Sequence, residues 1–321
     1  MRSAGIRALI GVLAVGVLAT LVGPAAAWEP TKPVEFVIMA GQGGGADQYA
    51  RLISGLIDKH KLAPVSFVPL NKDGGAGAVA MQYVKGKEGD PHTIMITLSS
   101  FLMTPINQKL PFNYRDYTPI ALVALDNFFL WVHKENPIQT VKDFVTEAQK
   151  RPMTVGGTGS KQEDELIFTF FEQQAGLKPF KYVPFKGGGS VAAALVGKQV
   201  EATVNNPSEA LAHHPDRVRI LATFAEKRHA RLPDLPTMKE LGYDVTYQML
   251  RGIFGPPKMP AEAREYYVTL LKKVFDLKDF QEFLERNVLD PRFMTTDDFG
   301  RWVAGQHELH EQIMRKAGWA K

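Results

Sequence analysis

The sequence predicts an α/β protein in which helices cover largely parallel sheets. Three observations carry that expectation. Strand-like runs alternate with helical patterns from Val34 onward, several strand ends run into glycine-rich turns, and 321 residues with 45% hydrophobic content can bury one large core or two ordinary ones.

Taken in order, the chain begins with a leader. Arg2 and Arg7 precede the apolar run "ALIGVLAVGVLATLVG", and "AAA" (25–27) satisfies the small-residue cleavage rule, so residues 1–27 read as a secretory signal peptide. The alternative is an uncleaved membrane anchor, because the run is close to the lower spanning limit. No later stretch is long and apolar enough to cross a bilayer, so the remainder is expected to be soluble and outside the cytoplasm. The chain has no cysteine. An exported protein without cysteine depends on its apolar core, and thiol catalysis and cysteine metal sites are excluded. The net charge of +4 includes Arg2 and Arg7. What remains is too small, and too evenly spread, to indicate nucleic acid.

"VEFVIM" (34–39) is the first strand. Tyr49, Leu52, Ile53, Leu56 and Ile57 follow at the i, i+3, i+4, i+7, i+8 spacing of one helix face. "VSFVPL" (65–70), "HTIMITL" (92–98), "FFLWVH" (128–133), "MTVGG" (153–157), "KYVPF" (181–185), "VEATVN" (200–205) and "VRILATF" (218–224) are further buried-type strands, mostly separated by helical patterns. The segment 231–245, with two prolines, reads as a surface excursion. Toward the C-terminus, Ala263, Tyr266, Tyr267, Leu270, Leu271 and Val274 share one helix face entered through Pro260. Phe299, Trp302, Val303, Leu309 and Ile313 mark a last helix, with "TTDD" at its start as a cap.

The stretch "AGQGGGADQYAR" (40–51) places three glycines together between a strand and a helix. That sacrifices backbone order, so something must approach the chain closely there. "NKDGGAG" (71–77), "GGTGS" (156–160) and "FKGGGS" (185–190) repeat the arrangement. A helix N-terminus offers unpaired N–H groups and a partial positive charge, and glycines let an anion reach them. Several such turns at strand ends would form an anion-binding cleft without lysines. Asp47 can instead cap the first helix. Ser160 and Glu163 fit the S-x-x-E capping box before Leu166 and Ile167, so Ser160 serves either as cap or as ligand contact.

No enzyme motif claims these glycines. "GAGAVA" (75–80) matches a weak dinucleotide fingerprint, but the next strand ends in Ser99 and Ser100, with no acid for a ribose. Gly197-Lys198 is followed by Gln199, so there is no Walker A sequence, and no G-x-S-x-G elbow occurs. His307 and His310 lie i, i+3 apart without an H-E-x-x-H sequence and are expected on a solvated helix face. His213-His214, before a proline, reads as loop. Nothing calls for a catalytic set, a cofactor or a metal.

Taken together, "GGADQYAR" (44–51), "NKDGGAG" (71–77), "DPHTIMITLSS" (90–100), "LPFNYRDYTPIALVA" (110–124), "TVGGTGS" (154–160), "YVPFKGGG" (182–189), the segment 221–245 and "GIFGPPKMP" (252–260) resemble the periplasmic solute receptors of tripartite tricarboxylate transporters, also called Bug-type binding proteins. Each motif alone is unspecific, whereas their order and spacing over nearly all of the chain after residue 27 are specific. The resemblance implies a periplasmic-binding-protein-like (type II) fold of two domains with a ligand cleft between them. Residues 28–127 plus 251–321 would form the first domain and 128–250 the second, with hinge crossings near Asp126 and Met249. It also implies a monomer in the periplasm that closes on a small carboxylate and serves membrane subunits of a transporter.

Residues 41–47 and 156–160 match the family's two pincer loops, which hold the carboxylate by backbone groups and ordered water. The expected contacts are therefore Gln42, Gly43, Gly44, Gly45, Asp47, Thr158, Gly159 and Ser160. Ser99, Ser100, Asn205 and Arg251 are candidates for the far end, with Phe101 or Phe128 against the ligand's middle. The chain departs from the pattern at Gln42-Gly43, where proline is usual before the glycine pair. It departs again at Glu165, where histidine is common, and at Arg251, where tryptophan is common. Arg251 introduces a fixed cation that can take a second carboxylate bidentately, which favours a dicarboxylate, or can form a hinge salt bridge with an acidic neighbour. A sensing subunit, or an extracytoplasmic enzyme acting on a small acid, are the competing functions.

Overall fold

The computed structural model describes residues 28–320, so the expected signal peptide lies outside the described residues. In chain order the elements are β1 (Val34–Ile38), α1 (Gly45–Lys59), β2 (Phe67–Asn71), α2 (Ala78–Lys85), β3 (Thr93–Ile96), α3 (Ser100–Gln108), β4 (Thr118–Asn127), β5 (Phe129–His133), α4 (Val141–Lys150), β6 (Thr154–Thr158), α5 (Glu163–Ala175), β7 (Lys181–Phe185), α6 (Gly188–Val196), β8 (Ala202–Asn205), α7 (Pro207–Leu211), β9 (Val218–Thr223), β10 (Gln248–Gly255), α8 (Ala261–Asp276), α9 (Lys278–Arg286), β11 (Leu289–Thr295) and α10 (Thr296–Lys316).

Two sheets form, in the orders β11-β4-β10-β3-β1-β2 and β7-β6-β8-β5-β9. The α/β class is as expected, but the sheets are mixed. β1 pairs parallel with β2 and β3, and β6 with β7 and β8. The pairings of β10 and β4, and those of β5, are antiparallel. These antiparallel strands are the ones that carry the chain from one sheet to the other. β4 leaves the first sheet at Asn127, β5 enters the second at Phe129, and β10 returns at Gln248. The two crossings lie side by side. Asn127 faces Gln248 across the ladder, the Gln248 amide donates to Asn127 Oδ1 (3.0 Å), and the rings of Phe128 and Tyr247 meet edge-on at 5.5 Å.

Strand alternation splits the core over both sheet faces. Phe36 and Ile38 pack with Ile53, Tyr267 and Leu270 on one side of the first sheet, and Val37 and Met39 with Phe101 and Phe299 on the other. The second sheet is covered likewise by Phe144, Leu166 and Phe171 on one face and by Ala192 and Leu195 on the other. α10 starts beside the first sheet through Phe299, yet its end packs Met314 into the core of the second. Two expectations for this helix fail. No side-chain bond caps it at Thr295, and Leu309 is exposed while His310 is buried. His310 is held between Tyr247 Oη, 2.6 Å from Nε2, and the Gln306 carbonyl, 2.7 Å from Nδ1, so it is no part of a solvated face.

Candidate functional site

A cavity of about 460 Å³ opens where the strand ends of both sheets meet. The first sheet contributes Met39 and Ala40 after β1, the turn 74–77 before α2, and Leu98 and Ser100 at the start of α3. The second contributes Thr158 and Gly159 after β6, Gln162, Pro184 to Lys186, and Ser190. The turn 74–77 takes positive φ at all four residues, Ala76 included, a conformation for which glycine is suited. The lining is neutral apart from Lys186, whose side chain is 85% exposed and lies 4.0 Å from Asp73 across the cavity mouth.

Of the expected contacts, Ser100, Thr158 and Gly159 line this cavity. The first glycine loop does not, and what approaches it is another part of the chain. A Cβ on Gly44 would touch the Gly188 nitrogen at 3.4 Å, and one on Gly189 would touch the Gly43 carbonyl carbon at 3.2 Å. Residues 41–45 therefore pack backbone to backbone on the turn that starts α6, and Gln42 is exposed. Gly45 leaves room for the Arg251 guanidinium, which a Cβ would strike.

Asp47 serves α1. It stands three residues after the cap position Gly44 and accepts from the Gly43 N–H (3.1 Å), from Arg51 Nε (3.0 Å) and from Asn71 Nδ2 (3.0 Å). Burial pushes its pKa up, but these donors outweigh it and leave the carboxyl below its ordinary value. The expected capping box at Ser160 is not formed. α5 begins two residues later than that pattern requires, with Gln162 at the cap position, while exposed Ser160 makes a 3.4 Å contact to Glu165. Ser99 is buried and outside the cavity lining.

Asn205 and Arg251 belong to a buried polar cluster behind the cavity. Asn205 Nδ2 lies 3.4 Å from Asp164, and its Oδ1 accepts from the Asn206 N–H. Arg251, expected to present a cation to ligand, is fully buried and bonded to Asp126 through Nε (2.8 Å) and Nη2, with the Tyr49 ring 5.3 Å from its carbon. Burial opposes its charge, but Asp126 outweighs that and holds the guanidinium ionised. Tyr49 Oη (3.2 Å) and Asn206 Nδ2 (3.2 Å) complete the Asp126 shell. The salt bridge with an acidic neighbour, one of the two expected alternatives, is the arrangement present.

Three acids belong to this cluster, of which sequence reasoning reaches Glu163 only as the capping partner of Ser160 and misses Asp164 and Glu209. The Glu209 carboxylate accepts from the Gly45 N–H (2.9 Å), and that of Glu163 from the Ser100 N–H (2.6 Å). Each thus places a carboxylate of the second-sheet layer on a helix N-terminus of the first, where the dipole favours negative charge. Asp164 accepts from the Thr158 N–H (2.6 Å). Burial raises the pKa of all three, that of Asp164 most. In the sequence Glu163 reads as a capping residue and Asp164 and Glu209 carry no signal of their own, so only the fold reveals their burial. Among the described residues no group of acids and histidines is arranged to hold a metal.

A family model described as "Tripartite tricarboxylate transporter family receptor" matches residues 53–319. Among curated proteins, the UPF0065 protein in the gbd 5′ region of Cupriavidus necator is 26% identical over 295 residues, covering 91% of this chain and 89% of that protein. Protein BugT of Bordetella pertussis is 23% identical over 223 residues, 67% of each. Among solved structures, an R. palustris protein with adipate superposes with a TM-score of 0.84 at 25% identity, covering 91% of this chain and 99% of that one. The periplasmic binding protein BugD superposes equally well, TM-score 0.84, at 22% identity over 91% and 99%, a likeness of fold alone.

Proposed function

This chain belongs to the tripartite tricarboxylate transporter receptor family, and from that premise we propose that it is a periplasmic solute-binding protein that encloses a small carboxylate and hands it to the membrane subunits of a transporter. The observation that carries the reading is the cavity of about 460 Å³ between strand ends of two sheets, lined by glycine turns, hydroxyls, one amide and the exposed Lys186. Backbone N–H groups and hydroxyls at helix starts suit an anion, and two adjacent crossings permit rigid-body closure. Residues 28–127 with 251–321 form the first moving lobe and 128–250 the second, with the end of α10 riding on the second lobe's core. The leader, residues 1–27, directs export and is removed.

The expectation of a dicarboxylate rested on Arg251. With the charge of that buried guanidinium paired to Asp126, the proposal keeps the carboxylate and drops the second charge. The size of the cavity accords with small acids of the kind carried by the adipate-bound R. palustris relative. A thermal-shift panel of mono-, di- and tricarboxylates and aromatic acids, set against matched amines and sugars, tests the reading. A true ligand at a hundred times its Kd stabilises by about 2.7 kcal/mol. Stabilisation by a sugar or an amine and by no acid would overturn it.

A further inference from the structure

Gln162 was not among the residues expected at the site, yet its side chain has the clearest reason to meet a ligand. It is 4% exposed, lines the cavity, and makes no side-chain hydrogen bond among the described residues. Its carboxamide packs over Gly159, which has a φ of +62° and no room for a Cβ. Opposite, on the first-sheet layer, Ser100 is 2% exposed and also lines the cavity, and its hydroxyl makes no hydrogen bond among the described residues. Two buried polar groups, one from each side of the cleft, thus face the same space without protein partners. Neither group is sealed from solvent, so both are open to the cavity, and a ligand that bridges them makes hydrogen bonds the chain leaves unmade.

The charge around this end of the cavity limits what that ligand carries. The Ser100 N–H already holds the Glu163 carboxylate, Asp164 is bonded to the N–H of the lining residue Thr158, and Glu209 is buried in the same cluster. Arg251 is the cation of that cluster, and Asp126 holds it. A further ionised carboxylate at this end would lie against three buried acids in a low dielectric, while Lys186, the cation in the lining, is 85% exposed and near Asp73. A carboxamide can both donate and accept, and it pairs best with a neutral group that does the same.

We propose that Gln162 is a specificity-determining residue that, with Ser100, selects a monocarboxylate bearing a neutral donor–acceptor group such as a carboxamide or hydroxyl at its far end, in preference to the corresponding dicarboxylate. This rests on the carboxylate-receptor reading above. The test is calorimetry near neutral pH with matched pairs: succinate and succinamate, glutarate and glutaramate, adipate and adipamate. The wild-type protein is expected to bind the half-amide of the best-fitting length more tightly than its diacid. Gln162→Met, which keeps the shape and removes both hydrogen-bonding atoms, should cost the half-amide roughly tenfold or more and the diacid much less. Ser100→Ala should shift affinity in the same direction, and unchanged thermal unfolding without ligand would show that both variants fold. A wild-type preference for the diacid, or an undiminished half-amide preference in both folded variants, overturns the inference while leaving the receptor reading intact. If no acid or half-amide of any length binds, both fall.

Discussion

Arg251→Met separates a structural role for this residue from a ligand-binding one. The substitution preserves most of the stem and removes the guanidinium, deleting the Nε bond to Asp126 at 2.8 Å, the Nη2 bond beside it and the contact with the Tyr49 ring. Both partners are essentially inaccessible, with side-chain exposures of 0% and 1%. Breaking a buried pair from one side typically costs about 3–5 kcal/mol, because the remaining charge is left uncompensated. Asp126 keeps two donors, Tyr49 and Asn206, so the lower end of that range is expected, about 3 kcal/mol, or a fall in Tm of roughly 2–4 °C for each kcal/mol. Urea and thermal unfolding without ligand measure it. Asp126→Asn added to Arg251→Met should recover most of the loss, since the orphaned charge is gone while an acceptor for Tyr49 remains. A variant that unfolds like the wild type but loses ligand affinity more than tenfold would refute this account and return Arg251 to the ligand.

Other outcomes follow from the same contacts. Gly44→Val should leave each sheet intact but hold the cleft open, because the added carbons meet the Gly188 backbone; small-angle X-ray scattering should show a larger radius of gyration and calorimetry weaker binding, and a closed, fully binding variant would sink the idea. Glu163, Asp164 and Glu209 have raised pKa values in the folded state, so the native protein binds more protons than the unfolded chain. Their burial therefore costs stability progressively as pH rises above the ordinary carboxylate range, and the urea midpoint should fall between about pH 5 and pH 8, less steeply in Glu163→Gln and Glu209→Gln. Asp47, shifted the other way, loses its contribution only as pH falls below its ordinary value. His310, lowered by burial to about 4, should stay neutral with Nδ1 protonated toward Gln306. Nitrogen-resolved NMR should show that tautomer persisting well below the ordinary histidine pKa, and protonation near pH 6.5 would contradict it.

Much of the fold was legible because its signals are local. Each strand read from the sequence is a short apolar run bounded by turn residues, and α1 and α8 carry unbroken helical faces. β4, β10 and β11 were missed for different reasons. "TPIALVALDN" is buried over most of its length and so lacks alternation, "QMLRGIFG" places an arginine and a glycine inside a central strand, and "LDPRFMT" carries a proline that only an edge position tolerates. Two of the glycine loops, 74–77 and the one at Thr158-Gly159, line the cavity, but the triple glycine 43–45 answers to other parts of the chain. Gly45 meets Glu209 across 164 residues, Ser100 meets Glu163 across 63, and Arg251 meets Asp126 across 125. Partners so distant in sequence leave no periodicity or spacing to read. For the same reason nothing in the sequence singles out Gln162, although the fold sets its side chain at the cavity wall.

The most direct test of the central claim is a crystal structure grown with the acid that most raises Tm in the carboxylate panel. The account predicts density for that acid inside the cavity, its carboxylate on backbone N–H groups of the glycine turns and its far end between Ser100 and Gln162, with the two lobes closed over it. Density at any other place on the protein, or an acid in the cavity whose carboxylate is held by the Arg251 guanidinium in place of Asp126, would contradict it.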